Sequence, residues 1–410
     1  MKWLIGSRIS SGPVGGLVRC ILSRTSLSRL PVVAVLGLSL YVGIHSSSAQ
    51  LTILHSFGDG TVTNDGAVPA GGLIQAPDGN FYGTTVYQAQ TFAGGGTVYR
   101  LTLAGTVQIL HVFPNAGQKR PAQDLLYYHG DLIGVATSPL KYSVIFRTAL
   151  SGKTVTWYDF NANKGTQNGA SLEAGLILGS DGNLYGTTYG GGVNGFGTIY
   201  KIGPDIPHPF ASVYSFTAST GIFPHARLLL AQDGNYYGTT EVGSPGGGGI
   251  VFQMTPVGQV TSIYEFPGAS DACNAPLIQD KNGNFYGVTI GGGTYGGGYA
   301  FKMSSTFQVT ILHQFGKGKD ASWPNGVVLG PNGNLYGTTG FGGSKDKGAI
   351  FEVSTDGSFY KVLHNFGDGS VPNDGEAPES GLTVGSDNNL YGSTNFGGSA
   401  GKGTVFRIAP

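Results

Sequence analysis

Short segments in which hydrophobic and polar residues alternate recur along residues 51–410. An apolar hexapeptide with a central Tyr-Gly pair, such as NLYGTT at 183–188 and 334–339, appears about every fifty residues. Three further apolar segments of similar length accompany it, as GTVYR at 96–100 and VLHNF at 362–366 illustrate. Short alternating segments rich in aromatic residues are typical of β-strands. The pattern predicts seven units of four strands each.

The connections between these segments support the same interpretation. Asp-Gly-Asn or Asn-Gly-Asn triplets, such as those at 78–80 and 332–334, separate the first two strands of most units. Such triplets supply the positive φ of a tight hairpin. Glycine-rich loops such as GGGVNGFG at 190–197 separate the second and third strands. We therefore predict an all-β fold, a seven-bladed β-propeller with four antiparallel strands per blade.

The phase of the repeat predicts how the ring closes. The body starts with a single strand of the fourth type at 51–57 and ends with strands of the first three types at 381–384, 389–394 and 404–408. We expect the N-terminal strand to complete the last blade, which would remove the free edges of the sheets. The alternative is an open solenoid, which would need polar caps that the sequence does not show. The propeller domain would span 50–410.

Composition narrows the fold class in the same direction. The chain has 410 residues, of which 72 are glycine, and only 11% are charged, against about 25% in ordinary soluble domains. So much glycine argues against long helices. The 22 phenylalanines and 21 tyrosines argue against a disordered chain.

Residues 1–49 have the layout of a signal peptide. Five basic residues and no acidic ones precede or flank an apolar run at Leu30–Ile44, and small residues before Gln50 suit cleavage after Ala49. The run is shorter than the roughly 20 residues of a membrane-spanning helix. We expect a secreted or cell-surface protein. An uncleaved membrane anchor and a transit peptide are the alternatives, and a membrane contact would arise only if the segment is retained.

Charge and cysteine content limit the possible partners. Without residues 1–49 the chain has 18 basic and 23 acidic residues, a net charge of about −5. A body without a basic excess argues against a nucleic-acid binder. Only Cys273 lies in the body, so no internal disulfide can form there.

The unit LHxF…GLxxxxDGNLYGTTxxGG…GTVFxx resembles the GloVer tandem repeat of secreted and surface-anchored proteins. The likeness covers 51–410 and includes several motifs in a fixed order. The glycines of the second strands also give a looser likeness to kelch propellers. The GloVer resemblance implies a repeat-built extracellular protein and no particular activity.

Residues that break the repeat are better functional candidates than residues that obey it. His55, His111, His313 and His364 share one position of the fourth strand, which indicates packing. The loops after the second and fourth strands would share one face, and a ligand site is expected there, at the mouth of the channel. Five charged residues depart from the small or apolar residues of other units and would lie near that mouth: Asp124, Glu173, His225, Arg227 and Glu241.

A second candidate cluster comes from two matched loops, GDGTVTNDGAVP at 58–69 and GDGSVPNDGEAP at 367–378. Their carboxylates are of the kind that suits Ca²⁺, although the spacing is not that of an EF-hand. The candidate ligands are Asp59, Asp65, Asp368 and Asp374. Solvated Asp-Gly turns explain the same residues without a metal.

Two functional classes remain open. The first is a binding or scaffold propeller whose loop face holds a glycan, a peptide or a protein. The second is a hydrolase or lyase acting on a polysaccharide, in which two carboxylates near the mouth would serve as acid and base. An enzyme would concentrate perturbed titratable groups in one pocket, whereas a binder would spread aromatic and neutral polar groups over the loop face.

Overall fold

A computed structural model describes residues 51–88, 94–114, 120–137, 143–160, 169–204, 208–243 and 246–410. These residues form 28 strands in seven four-stranded antiparallel sheets and no helix. Within each sheet the strands are called A to D, with A innermost. The predicted seven-bladed propeller is confirmed. The predicted leader and its cleavage site at Ala49 lie outside the described residues.

The first four blades follow one another along the chain. Blade 1 comprises β2 (Ile74–Gln75), β3 (Phe81–Thr85), β4 (Thr97–Leu101) and β5 (Val107–Val112). Blade 2 comprises β6 (Leu126–Tyr128), β7 (Asp131–Ala136), β8 (Val144–Ala149) and β9 (Thr154–Asp159). Blade 3 comprises β10 (Ile177–Leu178), β11 (Leu184–Thr188), β12 (Thr198–Ile202) and β13 (Phe210–Ser215). Blade 4 comprises β14 (Leu229–Leu230), β15 (Tyr236–Thr240), β16 (Ile250–Met254) and β17 (Val260–Glu265).

The last three blades include the closing one. Blade 5 comprises β18 (Ile278–Gln279), β19 (Phe285–Thr289), β20 (Tyr299–Met303) and β21 (Val309–Gln314). Blade 6 comprises β22 (Ala321–Leu329), β23 (Leu335–Gly342), β24 (Ala349–Val353) and β25 (Tyr360–Asn365). Blade 7 comprises β26 (Thr383–Val384), β27 (Leu390–Thr394), β28 (Thr404–Ile408) and the N-terminal strand β1 (Thr52–Ser56).

Strand A is shorter than the sequence pattern predicts. It has two or three residues in six blades, and only β22 of blade 6 reaches nine. The residues before strand A are held instead by isolated bridges to the end of strand B, such as Ala67 with Tyr87 and Glu376 with Phe396. In the six blades with a short strand A, the start of the A segment is therefore an irregular stretch beside the channel.

The central glycine of strand B is required by close packing. A Cβ built on Gly83 would lie 2.5 Å from the hydroxyl oxygen of Tyr99 on strand C, and one on Gly238 would lie 2.4 Å from the Phe252 ring. Both aromatic side chains are fully buried. Each blade thus uses a glycine in strand B to let the strand C ring cross the sheet and reach the core.

The turn between strands A and B is fixed by an aspartate. In blade 1, Asp78 accepts hydrogen bonds from the Asn80 amide (3.1 Å), the Asn80 Nδ2 (2.9 Å) and the Tyr82 hydroxyl (2.6 Å). Burial and the bond to Asp78 raise the pKa of Tyr82 to about 12. The side chain of one residue therefore ties the turn to the buried strand that follows it.

The ring closes by the predicted pairing of the first and last strands. β1 is antiparallel to β28, with Ile53 opposite Phe406 and His55 opposite Val405. The contact between blades 7 and 1 resembles that between blades 3 and 4. The ring centroids of Tyr391 and Phe81 are 4.1 Å apart, and those of Tyr185 and Tyr236 are 4.6 Å apart. The closing blade is therefore packed into the ring like the others.

Candidate functional site

A cavity of about 410 Å³ lies on the channel axis at the end where the A strands begin. All seven blades contribute residues to its wall. The loops from B to C and from D to A share this end because strand direction alternates within each blade. We call this end the loop face. A volume of this size is in the range of small-molecule sites.

Seven equivalent positions surround the cavity, each directly after a proline, leucine or cysteine near the start of the A segment. Blades 1 and 2 have Ala70 and Ala122 there, whereas blades 3 to 7 have polar side chains. These are Glu173, His225, Asn274, Asn325 and Glu379. Six of the seven residues line the cavity, and Glu173 precedes the lining residue Ala174. We call these positions the mouth ring.

The structure brings three of the five predicted charged residues together. Glu173 Oε2 lies 3.0 Å from His225 Nε2, and both side chains are about one-third exposed. The Tyr189 hydroxyl donates to Glu241 Oε2 at 3.2 Å, and the Tyr189 ring lies edge-on to the His225 ring at 5.9 Å. Tyr189 thus joins the two carboxylates to one cluster.

Tyr189 is fixed in this cluster by ring packing as well as by its hydrogen bond. Its ring stacks on Phe223 at 4.7 Å. Burial, followed by the charge and hydrogen bond of Glu241 and the charge of Glu173, raises its pKa above the ordinary value. Tyr189 therefore stays a neutral hydrogen-bond donor over the physiological range, facing two carboxylates and a histidine.

Asp124 and Arg227 line the same cavity from different blades. Asp124 Oδ1 accepts a hydrogen bond from the Gly72 amide of blade 1 at 2.7 Å, so this carboxylate also holds two blades together. No salt bridge joins Asp124 to Arg227 among the described residues. Among the described residues, neither the buried Arg227 Nε nor the buried Asn274 Oδ1 has a hydrogen-bond partner.

Sequence reasoning missed Asn274, Asn325 and Glu379. The signal for Glu379 was present, because it precedes Leu382 by three residues as Glu173 precedes Leu176. Asn325 is harder to find because blade 6 has one residue fewer between Pro324 and the apolar residue Val327 than the other blades have at this place. Partial burial of the carboxyl group raises the pKa of Glu379, and the hydrogen bond from Asn395 opposes that shift.

The four aspartates proposed for calcium are placed in two separate connections. Asp65 Oδ2 lies 2.9 Å from His55 Nε2 and accepts from the Gly58 amide, and Asp374 repeats this arrangement with His364 at 2.8 Å. Asp59 and Asp368 instead cap exposed turns. Within the described ranges, no group of three or more His, Cys, Asp or Glu side chains is placed to hold a metal ion. The calcium hypothesis stays a prediction.

The sequence profile of the Gloeobacter/Verrucomicrobia repeat matches the chain three times, over residues 40–233, 93–277 and 224–410. The chain belongs to this repeat family. The mouth ring is therefore a position of the Gloeobacter/Verrucomicrobia repeat at which the seven copies differ. The GloVer resemblance seen in the sequence is confirmed.

Solved structures show a more distant likeness. A protein from Bacteroides uniformis, provisionally named a 6-phosphogluconolactonase, is 14% identical with a TM-score of 0.48, covering 72% of this chain and 83% of that one. A protein provisionally named a gluconolactonase is 12% identical with a TM-score of 0.42, covering 88% and 92%. We infer no activity for the Gloeobacter/Verrucomicrobia repeat chain from similarities at this level. No curated protein matches it.

None of the described residues of this Gloeobacter/Verrucomicrobia repeat protein forms a helix long and apolar enough to cross a membrane.

Proposed function

We propose that this protein is an exported binding propeller that holds a small hydroxylated ligand, such as the end of a glycan, in the mouth of its channel. One observation carries the proposal: five consecutive blades place polar side chains at the mouth ring, around one cavity. The repeat does not require them there, because Ala70 and Ala122 occupy the same position in blades 1 and 2. A departure shared by five neighbouring copies is better explained by a ligand than by folding.

The polar groups of the cavity are suited to hydroxyl groups. A carboxylate accepts hydrogen bonds, a guanidinium donates them, and an amide does both. Arg227 Nε and Asn274 Oδ1, on adjacent blades, are a buried donor and a buried acceptor without a partner among the described residues. Leaving such atoms unpaired costs about 1–3 kcal/mol each, so a ligand that pairs with them gains affinity.

The test measures the binding of mono- and oligosaccharides and sugar acids to the full chain by calorimetry and saturation-transfer NMR. The variant Glu173→Ala, His225→Ala, Arg227→Gly gives blades 3 and 4 the residues that other blades carry. We expect at least about tenfold weaker binding with little change in unfolding temperature. The control Glu265→Ala removes an exposed carboxylate at the outer strand β17. Equal affinity of the triple variant and the native protein would remove the site.

A polysaccharide hydrolase or lyase is the second candidate, and Glu379 favours it. This carboxyl lines the cavity with a raised pKa, as a general acid requires, while Glu173 is paired with His225. Release of reducing ends or of unsaturated sugars from xylan, pectin or β-glucan would support catalysis. Loss of that release in Glu379→Gln, with binding retained, would assign the acid.

A further inference from the structure

A second set of equivalent positions lies on the loop face, beside the end of strand B. In six blades the threonine of the strand B motif Tyr-Gly-x-Thr identifies the position, because its Oγ1 donates to the carbonyl oxygen of the residue two positions later. This bond joins Thr85 to Tyr87 at 3.2 Å, Thr339 to Phe341 at 2.9 Å and Thr394 to Phe396 at 3.0 Å. Blades 6, 7 and 1, which are consecutive in the ring, therefore all carry an aromatic residue there.

Folding does not explain these aromatic side chains. Blades 3, 4 and 5 carry Gly190, Val242 and Gly291 at the same position, with the same threonine hydrogen bond. Phe341 and Phe396 are 44% and 43% exposed, so they add little to the core. Exposed aromatic residues on neighbouring elements are typical of interaction sites.

Trp323 extends the aromatic surface of blade 6. It is 52% exposed, and its ring contacts the Phe341 ring edge-on at 5.1 Å. In blade 1, the Arg120 guanidinium lies 4.8 Å from the centroid of the Tyr87 ring. We call Trp323, Phe341, Phe396 and Tyr87 the aromatic arc. It runs over three blades beside the mouth ring, where Asn325 and Glu379 belong to two of the same blades.

An ion pair lies between the two phenylalanines of the arc. Lys347, from the loop after Phe341, forms a 2.7 Å salt bridge with Glu376, the bridge partner of Phe396. This pair adds no net charge to the surface between them. A neutral ligand with flat apolar faces matches it better than a charged one.

We propose that the aromatic arc binds sugar rings along one chain of a neutral polysaccharide whose terminal unit lies in the channel mouth. This inference rests on the function proposed above and names the polymer class. The CH-bearing face of a sugar ring can cover an aromatic ring, while its hydroxyl groups reach polar residues such as Asn325. An extended peptide is less favoured in blades 7 and 1, because it would add to a free strand edge, and strands β26 and β2 have only two residues each.

The experiment compares the chain-length dependence of binding. The probes are cello-, xylo- and laminari-oligosaccharides of two to eight units, with denatured casein as a peptide probe. The variant Trp323→Ala, Phe341→Gly, Phe396→Gly gives these positions residues found elsewhere in the ring, since Ala377 and Gly190 occupy equivalent sites. Phe359→Ala, on the C–D turn at the other end of blade 6, is a control of similar exposure.

We expect native protein to bind one oligosaccharide series more tightly as it lengthens, by about tenfold or more between two and six units. The arc variant should lose that gain while keeping its affinity for the disaccharide. The His225→Ala, Arg227→Gly variant should instead weaken binding at every length. Oligosaccharides that bind equally at all lengths would overturn the arc and leave the mouth site standing. No oligosaccharide binding, or binding to casein alone, would overturn both.

Tryptophan fluorescence supplies a second readout. Trp157 is 92% buried and Trp323 is exposed, so in a Trp3→Phe variant quenching by acrylamide reports mainly on Trp323. A bound hexasaccharide should protect this emission from the quencher, and a disaccharide should not. Equal quenching with and without the hexasaccharide would place the polymer elsewhere.

Discussion

At the scale of single residues, blade 6 shows how one position compensates for another. The turn aspartate is replaced by Asn332, and the strand C residue that is Arg100 in blade 1 is Glu352 here. Glu352 Oε1 accepts from the Tyr336 hydroxyl at 2.8 Å and from Asn334 Nδ2 at 2.7 Å. In blade 6 the carboxylate that accepts the hydrogen bond of Tyr336 thus belongs to Glu352 on strand C, whereas in blade 1 it belongs to the aspartate of the A–B turn.

This exchange predicts a double-mutant result. Asn332→Asp would place a second carboxylate beside the nearly buried Glu352, and we expect a loss of about 1–3 kcal/mol in the free energy of unfolding. Adding Glu352→Lys recreates the Asp–Lys combination of Asp181 and Lys201 in blade 3 and should restore most of it. Urea unfolding of the two single variants and the double variant measures the coupling. Additive losses would contradict the compensation.

At the scale of elements, the A–B turns make stability depend on pH. In five blades the turn aspartate is largely exposed; its slight burial alone would raise its pKa, but hydrogen bonds from asparagine and tyrosine outweigh that burial and lower it. These residues are Asp78, Asp181, Asp233, Asp280 and Asp387. Their contribution to stability is present above their unfolded pKa, about 3.9, and is lost as the pH falls through the lower folded pKa.

We therefore expect the unfolding temperature to be constant near neutral pH and to fall below about pH 4. The variant Asp233→Asn should be less stable at pH 7 and should lose less stability than the native protein between pH 5 and pH 2. Calorimetry across this range measures both effects. Parallel curves for the two proteins would mean that the turn carboxylate does not contribute.

The same elements show what sequence reasoning could and could not reach. The turn triplets and the Tyr-Gly pairs have local causes, so they indicate blade number, strand order and closure. The mouth ring has no local cause, because its members are about fifty residues apart and meet only in the closed ring. Glu379 could be found from its spacing to Leu382, Asn325 only after aligning the blades on their prolines, and Tyr189 only from its contact with Glu241.

At the scale of the whole molecule, β1 decides whether the ring is closed. Leu51 and Phe57 beside it are buried, and each contributes about 1.5–3 kcal/mol through burial. A chain that starts at Gly58 should lose this contribution and expose the edge of β28. We expect a lower unfolding temperature and aggregation detectable by light scattering.

The matched control for this truncation is a chain that starts at Gln50 and keeps β1. It should melt like the full-length protein, because the residues it lacks precede the first strand of the propeller. A synthetic peptide LTILHSF added to the shorter chain should raise its melting temperature. Identical melting of both truncated chains would show that blade 7 is stable with three strands.

The pairing of β1 with β28 also bears on how the protein is made. β1 is the first strand of the propeller and pairs with β28, the last one. The ring therefore cannot close until β28 has been synthesised. A prematurely terminated chain keeps an unpaired outer strand and an open blade 7, which proteases and chaperones recognise. The topology thereby acts as a check on completeness, since a chain must reach its final strand before the ring can close.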